Sequence, residues 1–306
     1  MIALPASMRV FERGWLSSNN VLLIDDRHTT LVDTGYATHA PQTLALVRHA
    51  LGARTLDRIV NTHLHSDHCG GNTLLQQTWR CETWIPATET DTVRQWDEAR
   101  LTFRATGQFC ERFAATGSLA PGMRIEMGAL DWEVLGAPGH DPHSLMLYCA
   151  DERVLISADA LWENGFGVIF PELDGESGFA EQQAVLELIA SLDVGTVIPG
   201  HGAPFANVEQ ALERAFSRLA WLRADAVRNA KNALKVLLVF RLLDVRTTNF
   251  GALIDMLDNA SAMRAAAALL APHDAWPALV RRIVGELAGS DGPLRIDGEH
   301  VSAREW

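Results

Sequence analysis

Cysteine is sparse: four residues in 306, and Cys69, Cys81, Cys110 and Cys149 form neither a C-x-x-C pair nor a regular zinc spacing. A disulfide scaffold is excluded on that ground, and reduced thiols in a cytoplasmic protein are expected. Basic charge is also short. The chain carries 26 Lys and Arg against 38 Asp and Glu, a formal net of -12. Nucleic acid is a polyanion and an anionic membrane surface is similar in sign, so neither is an expected partner. No stretch of about 18 uncharged apolar residues occurs, so no transmembrane helix is expected. The segment 233–243 is very apolar but short, and Arg241 interrupts it. Residues 1–10 have no basic region leading into a long apolar one, so no secretory signal is expected. Internal repeats and low-complexity tracts are missing too.

What remains is a composition suited to a folded core. Hydrophobic residues make up 48% and charged residues 21%, near the averages for soluble globular proteins. Disorder of the whole chain is excluded, and the length suggests about two domains.

The first half alternates strands and helices. Residues 21–24 and 30–32 read as strands joined by the polar turn 25–28. A helix follows Asp33-Thr34-Gly35, with Pro41 at its start, Leu44, Val47 and Leu51 on one face, and Gly52 as its stop. Strands are expected at 58–60, 83–85, 132–135, 145–148, 154–156 and 196–198, with a hairpin turn at 150–153. Residues 91–112 read as helix through Val93, Trp96 and Phe103, and 184–189 read as another. Beyond about residue 205 the helical period dominates. Helices are expected around 208–222, 231–243, 250–257, 262–270 and 276–287. The run 293–301, with Asp297-Gly298 at its centre, signals a hairpin. Three helices followed by a hairpin is the order of a winged-helix module. Two domains are expected, 1–228 and 229–306.

The chemistry concentrates at 61–71, NTHLHSDHCGG, where three His and one Asp fall within six positions directly after the strand 58–60. Imidazole and carboxylate are ligands that zinc, iron and manganese accept. Three further strand ends deliver the same residue types. The strand ending at Leu135 leads into Gly136-Ala137-Pro138-Gly139-His140, strand 154–156 into Ser157-Ala158-Asp159, and strand 196–198 into Pro199-Gly200-His201-Gly202. Strands finishing at one sheet edge would bring these groups together.

The pattern HxHxDH at 63–68, followed by His140, Asp159 and His201, resembles the metallo-β-lactamase fold superfamily in order and spacing, over residues 15 to about 225. The resemblance implies an α/β, four-layer αβ/βα sandwich with the metal site at one edge, followed here by a mostly helical, winged-helix-like C-terminal module. It also implies two divalent metal ions, zinc first, with iron or manganese as alternatives. His63, His65 and His140 would hold one, Asp67, His68 and His201 the other, and Asp159 would bridge them. Two such ions sharing a water bring its pKa toward neutrality and make a hydroxide nucleophile, so no Ser or Cys nucleophile is required. Asp67 and Asp159 are the expected catalytic carboxylates, Asp67 by orienting the hydroxide or moving a proton.

Other residues admit functional and plain structural readings. His143 is expected to hold the ligand loop by a hydrogen bond, with a substrate contact as the lesser reading. Asp33 resembles the family's buried structural Asp. Trp162, Glu163, Phe166 and Phe170, directly after Asp159, wall a substrate pocket or belong to the core. Cys69 is expected to be a small buried side chain rather than a nucleophile. Lys231 and Lys235, one helical turn apart, are expected on a solvated face rather than at the cleft. Asp255, Asp258, Asp291, Asp297 and Glu299 make the C-terminal module a poor phosphate surface; it is expected to be a cap or a dimerisation element, so a homodimer is allowed.

The expected activity is a metal-dependent hydrolase using a metal-bridging hydroxide on a small thioester, ester or lactone, thioester slightly ahead. The resemblance spans the glyoxalase II and lactonase branches, and fold alone does not choose between them. β-Lactamase activity is demoted, because those enzymes generally carry Cys or Ser where Asp159 stands. A transfer-RNA processing ribonuclease is demoted because no long basic arm is present. Two alternatives stay open: a mononuclear iron persulfide dioxygenase using His63, His140 and Asp159, and a low-turnover ligand-binding or regulatory protein.

Overall fold

The computed structural model describes residues 2–304. A six-stranded sheet runs in chain order through β1 (Met8–Phe11), β2 (Asn20–Ile24), β3 (Thr29–Val32), β4 (Arg58–Val60), β5 (Glu82–Pro86) and β6 (Gly117–Leu119). Its first three strands pair antiparallel, and β3 to β6 pair parallel. A five-stranded sheet contains β7 (Arg124–Met127), β8 (Leu130–Gly136), β9 (Leu145–Cys149), β10 (Val154–Ala158) and β11 (Thr196–Pro199), with only β10 and β11 parallel.

Side-chain alternation along the strands explains the layering. Val21, Leu23 and Val32 face the second sheet and meet Val134, Leu145, Leu147 and Ile156 in one cluster. Their neighbours Leu22 and Leu31 face outward onto α1 (Ala40–Leu51) and α3 (Asn72–Trp79) through Val47, Leu51 and Leu75. On the other side Met146, Tyr148 and Leu155 pack on α6 (Phe179–Ser191) and α7 (Val208–Arg223). Strands buried on both faces read as continuous apolar runs, which is why β9 and β10 are buried along their whole length. The result is the four-layer αβ/βα sandwich.

The remaining chain forms α8 (Ala226–Val245), β12 (Thr247–Asn249), α9 (Phe250–Asp258), α10 (Ser261–Leu270), α11 (Trp276–Leu287), β13 (Leu294–Asp297) and β14 (His300–Ala303). β14 lies between β12 and β13. The hairpin turns at Gly298, whose φ of 59° lies in the left-handed region that glycine accepts without penalty. α8 is packed on both sides of the expected boundary after residue 228. Its Leu234, Leu237 and Leu238 share a core with Met263 and Ile283 and also with Val168 and Leu173, which follow Asp159. No helix among the described residues is long and apolar enough to cross a membrane.

Two sequence expectations need correction. Residues 91–112 are not one helix. Only α4 (Thr90–Gln95) and α5 (Phe103–Thr106) form, with α2 (Ser66–Cys69) as a third short helix nearby. Trp96 adopts φ 56° and closes α4, and its ring packs on Phe103 and Phe113. Burial of those aromatics among Leu64, Ile85 and Cys110 outweighs helix propensity. Lys231 and Lys235 do not sit on a freely solvated face either. Both are half-buried and reach Glu286 of α11, at 2.9 and 2.8 Å, tying α8 to α11.

Candidate metal centre

Five strand ends build the site. β3 leads to Asp33, β4 to His63, β8 to His140, β10 to Asp159 and β11 to His201. The loops are locked together by the main chain. Ser18 N donates to Asp67 O and Asn19 N to Gly200 O, while Asn19 Nδ2 donates to the carbonyls of Pro199 and Gly202. A register shift between Ile156 and Ala158 ends β10 irregularly, and Ala158 has φ 47°. Such a bulge re-aims the next side chain, here Asp159. Gly200 is required by close approach, since a Cβ there would collide with Asp159 Oδ1. Gly167 is required likewise, against the His140 ring.

Three sets of donor atoms converge, each within 4.8 Å: His63, His65 and His140; His63, His68 and Asp159; and Asp67, His68 and His201. All seven residues are buried. In the first set His63 Nε2 lies 3.1 Å and His140 Nε2 2.8 Å from His65 Nδ1. Val168 O can only accept, so the proton of a neutral His140 sits on Nδ1 and its Nε2 is a bare acceptor. His65 Nε2 faces Asp141 Oδ2 at 3.5 Å, which favours the proton there and leaves Nδ1 bare too. Burial pushes both rings down to about 4, and burial with the neighbouring His68 and His65 holds His63 well below its usual value. The facing nitrogens of His65 and His140 therefore meet as neutral lone pairs at neutral pH, a repulsive arrangement that a Lewis acid relieves.

The other two sets, which share His68, are arranged differently. His68 Nδ1 donates to Asp33 Oδ2 at 2.8 Å, and its Nε2 is buried with no hydrogen-bond partner among the described residues. That nitrogen lies 3.7 Å from Asp67 Oδ2 and 3.5 Å from Asp159 Oδ1. His201 Nε2 lies 3.0 Å from Asp67 Oδ2. Burial opposes a charge on His68, but Asp33, Asp159 and Asp67 outweigh it and raise its pKa well above the usual value. Burial likewise opposes charge on Asp159, yet His201 and His68 hold its carboxyl well below the usual range. This half of the site selects positive charge. Asp159 faces both halves, with Oδ2 3.4 Å from His140 Nε2 and Oδ1 toward His68 and His201. The donor set thus fits two cations with a carboxylate between them.

These shifts give a pH dependence in the metal-free protein. His63, His65 and His140 are lowered from 6.5, so between about 6.5 and about 4 the unfolded chain binds protons that the folded chain refuses. Stability then falls as pH falls through that window. His68 has the opposite sign: its contribution is complete below 6.5 and is lost as pH rises through its folded value. Denaturant titrations of stripped protein at pH 7 and pH 5 should show the lower midpoint at pH 5. An unchanged midpoint would mean that the three rings are not neutral when folded.

A cavity of about 110 Å³ covers the cluster, walled by Trp15, Trp162, Phe170, Val236, Leu237 and Phe240 among others. Phe170 packs edge-on against His65 at 5.4 Å. Trp162 lies 5.3 Å from the His201 ring, and its indole N–H donates to Asp159 Oδ1 at 3.2 Å. Glu163 lines an adjoining larger cavity. Phe166 borders that cavity with 1% of its surface exposed, so it is chiefly a core residue. His143 lies outside both cavities; its Nε2 meets Glu89 Oε1 at 2.9 Å, and its backbone N–H donates to Asp141 Oδ1 at 2.7 Å. Cys69 is fully buried, its thiol 3.5 Å from Leu64 O.

Sequence reasoning overlooked several neighbours. Trp15 stacks on His201 at 5.5 Å with the rings nearly parallel, although 55% of it is exposed. Asp141 and Glu89 back the ligand loop, and α8 roofs the cavity through Val236, Leu237 and Phe240. The place of Asp141 beside His140 was a usable signal. Trp15, Glu89 and α8 are distant in sequence and left none.

The sequence profile described as the metallo-beta-lactamase superfamily matches residues 13–201. A probable metallo-hydrolase from Methanocaldococcus jannaschii is 26% identical over 199 residues, covering 62% of this chain and 90% of that protein. A hydroxyacylglutathione hydrolase from Dechloromonas aromatica is 29% identical over 213 residues, 66% of this chain and 68% of its own length. One from Albidiferax ferrireducens is 28% identical, and the match spans 63% of it. In fold, the chain is similar over 99% of its length to a metallo-beta-lactamase family protein from Thermus thermophilus, with TM-score 0.59, 20% identity and all of that chain covered. It is also similar to the BLEG-1 B3 metallo-beta-lactamase, with TM-score 0.55, 23% identity, 67% of this chain and 96% of that one covered. With the profile spanning more than half of the chain, the protein belongs to the metallo-β-lactamase superfamily.

Proposed function

We propose that the protein is a dinuclear metal-dependent hydrolase of a small thioester, ester or lactone, with a thioester the first choice. The observation that carries this reading is the three overlapping buried donor sets, with Asp159 facing both His140 and His68. His63, His65 and His140 would hold one ion, Asp67, His68 and His201 the other, and Asp159 would bridge them. When bound, the ions would supply an activated water and polarise the substrate carbonyl. Water oxygen adds to the acyl carbon, the C–S or C–O bond breaks, and the leaving group departs with a proton as the acid forms. Asp67, 3.0 Å from His201 and at the cavity wall, is the carboxylate placed to orient that water or hold its proton. Trp15, Trp162, Phe170 and α8 restrict bulk water over the cluster. The hydroxyacylglutathione hydrolases among the relatives support a thioester over the other two classes.

Elemental mass spectrometry on protein purified without added metal, followed by a thioester, ester and lactone panel, tests the reading. Close to two ions per chain with turnover is expected. A single iron with oxygen uptake on persulfides would replace it by the dioxygenase alternative, and no metal after reconstitution would overturn the site. Trp162 offers a finer test. Trp162→Ala should lower kcat/KM about tenfold on substrates with apolar acyl chains, and much less on acetyl esters, because lost apolar contact is worth about 1–3 kcal/mol. Equal losses on both would remove Trp162 from the substrate wall.

A further inference from the structure

Beside the cluster, a larger cavity of about 480 Å³ opens between α8 and the segment after Asp159. It shares Trp15, Trp162, His201, Val236 and Phe240 with the cavity over the cluster, so the two adjoin. Its walls are chiefly apolar, through residues such as Val239, Leu243 and Leu287, but the charged groups on it are unbalanced. Arg218 and Lys235 line it against one carboxylate, Glu163. Lys235 has a partner, since it shares Glu286 with Lys231.

Arg218 has none of that kind. Among the described residues its side chain has one hydrogen-bond acceptor, Asn232 Oδ1 at 3.2 Å, and its Nε is buried without any. The guanidinium lies over the Phe166 ring at 5.8 Å. Burial lowers its pKa, and no neighbouring carboxylate offsets that. A guanidinium carries five N–H donors in a planar fork that suits carboxylates, and burying it unpaired costs free energy. Carboxylates are not scarce in a chain of net charge -12. An unpaired, half-buried cation at the wall of an apolar chamber is the arrangement that an anionic ligand group completes.

We propose that the substrate bears a carboxylate at the far end of an apolar segment. The scissile carbonyl sits over the His and Asp cluster, the segment runs along Trp162 and Phe240, and the carboxylate pairs with Arg218, with Lys235 adding long-range attraction. This assignment rests on the hydrolase reading, and its test separates the two.

Metal-loaded enzyme is assayed on paired straight-chain acyl thioesters, with and without a terminal carboxylate, from succinyl against butyryl up to sebacoyl against decanoyl. At one or two chain lengths the carboxylated partner should be favoured about tenfold or more in kcat/KM, chiefly through KM. Arg218→Met should bring that ratio to about one, and Arg218→Lys, which keeps the charge, should retain part of it. Arg218→Gln preserves a polar contact to Asn232 and serves if the Met variant does not fold. Calorimetric binding of the free dicarboxylates against the matching monocarboxylates gives a readout without turnover, and the same preference and the same loss are expected. A wild-type ratio near one at every length in both measurements overturns the subsite and leaves the hydrolase standing. A calorimetric preference that depends on Arg218, with no turnover of any ester, keeps the subsite and overturns the hydrolase.

Discussion

Asp159→Ala is expected to lose at least one metal ion per chain and more than about a hundredfold in kcat/KM. Even partners one layer outside a metal ligand cost about 10–100-fold, and the proposed bridge would put Asp159 inside that layer. Its two oxygens face different donor sets, Oδ2 toward His140 and Oδ1 toward His68 and His201, so one truncation weakens both. It also removes negative charge from among four buried imidazoles, leaving Asp67, beside His68 and His201, as the carboxylate of the donor sets. Asp159→Asn keeps the shape and one acceptor oxygen but replaces the other oxygen with an NH2 donor and carries no charge, so it should retain more metal than the Ala variant with turnover still depressed. Elemental analysis beside kcat/KM decides the matter: two ions retained with unchanged turnover in Asp159→Ala would remove the bridge.

Asp33→Ala should destabilise the metal-free protein by about 3–5 kcal/mol, the usual cost of removing one partner from a buried charged pair. Asp33 is 3% exposed. Its carboxylate accepts from Thr62 N at 2.9 Å, from Thr62 Oγ1 at 2.8 Å and from His68 Nδ1 at 2.8 Å. Truncation leaves all three donors buried and unmatched. The backbone adds to the loss, since Asp33 has φ 55°, a region that Asp and Asn tolerate better than Ala. Asp33→Asn separates the two effects. It accepts the left-handed backbone, so the stability loss should be smaller. Without the carboxylate, however, one of the two acceptor oxygens becomes an NH2 donor and His68 loses the charge that holds its proton on Nδ1, so metal affinity should drop about 10–100-fold. Denaturant unfolding of stripped protein and competition with a metal chelator measure the two quantities separately. Asp33→Asn binding metal as tightly as the native chain would restrict Asp33 to a role in folding.

Much of the sandwich was legible because its signals are local. Apolar runs such as Leu145-Met146-Leu147-Tyr148 and Val154-Leu155-Ile156 lie on β9 and β10, and Asp297-Gly298 turns the last hairpin. β1, β6, β7 and β12 went unread. They are short, several alternate with polar residues, and pairing across the sheet stabilises them more than composition does. The region 91–112 departs from its helical pattern for a related reason: Val93, Trp96 and Phe103 recur at spacings that suit a helix, but with Phe113 they serve a small core of their own that two short helices fill better.

At the site, residue type and chain order were determined by the sequence alone. His63, His65, Asp67, His68, His140, Asp159 and His201 stand directly after strand signals, and parallel and antiparallel strands that end at one edge must bring such loops close. Which nitrogen of each ring faces inward was decided only in three dimensions, by Val168 O behind His140 and Asp33 behind His68. The cavity walls were decided there as well. Helix α8 and Trp15 lie far along the chain from most of the ligands they cover, and no periodicity in a single strand or helix encodes such a distance. Packing of α8 against Val168 and Leu173 brings its Val236 and Phe240 over the centre, so the chamber beside the site is a product of long-range burial. Local sequence pattern specifies what a loop can chelate, whereas the shape and charge of the space around it emerge when distant elements bury their apolar faces together.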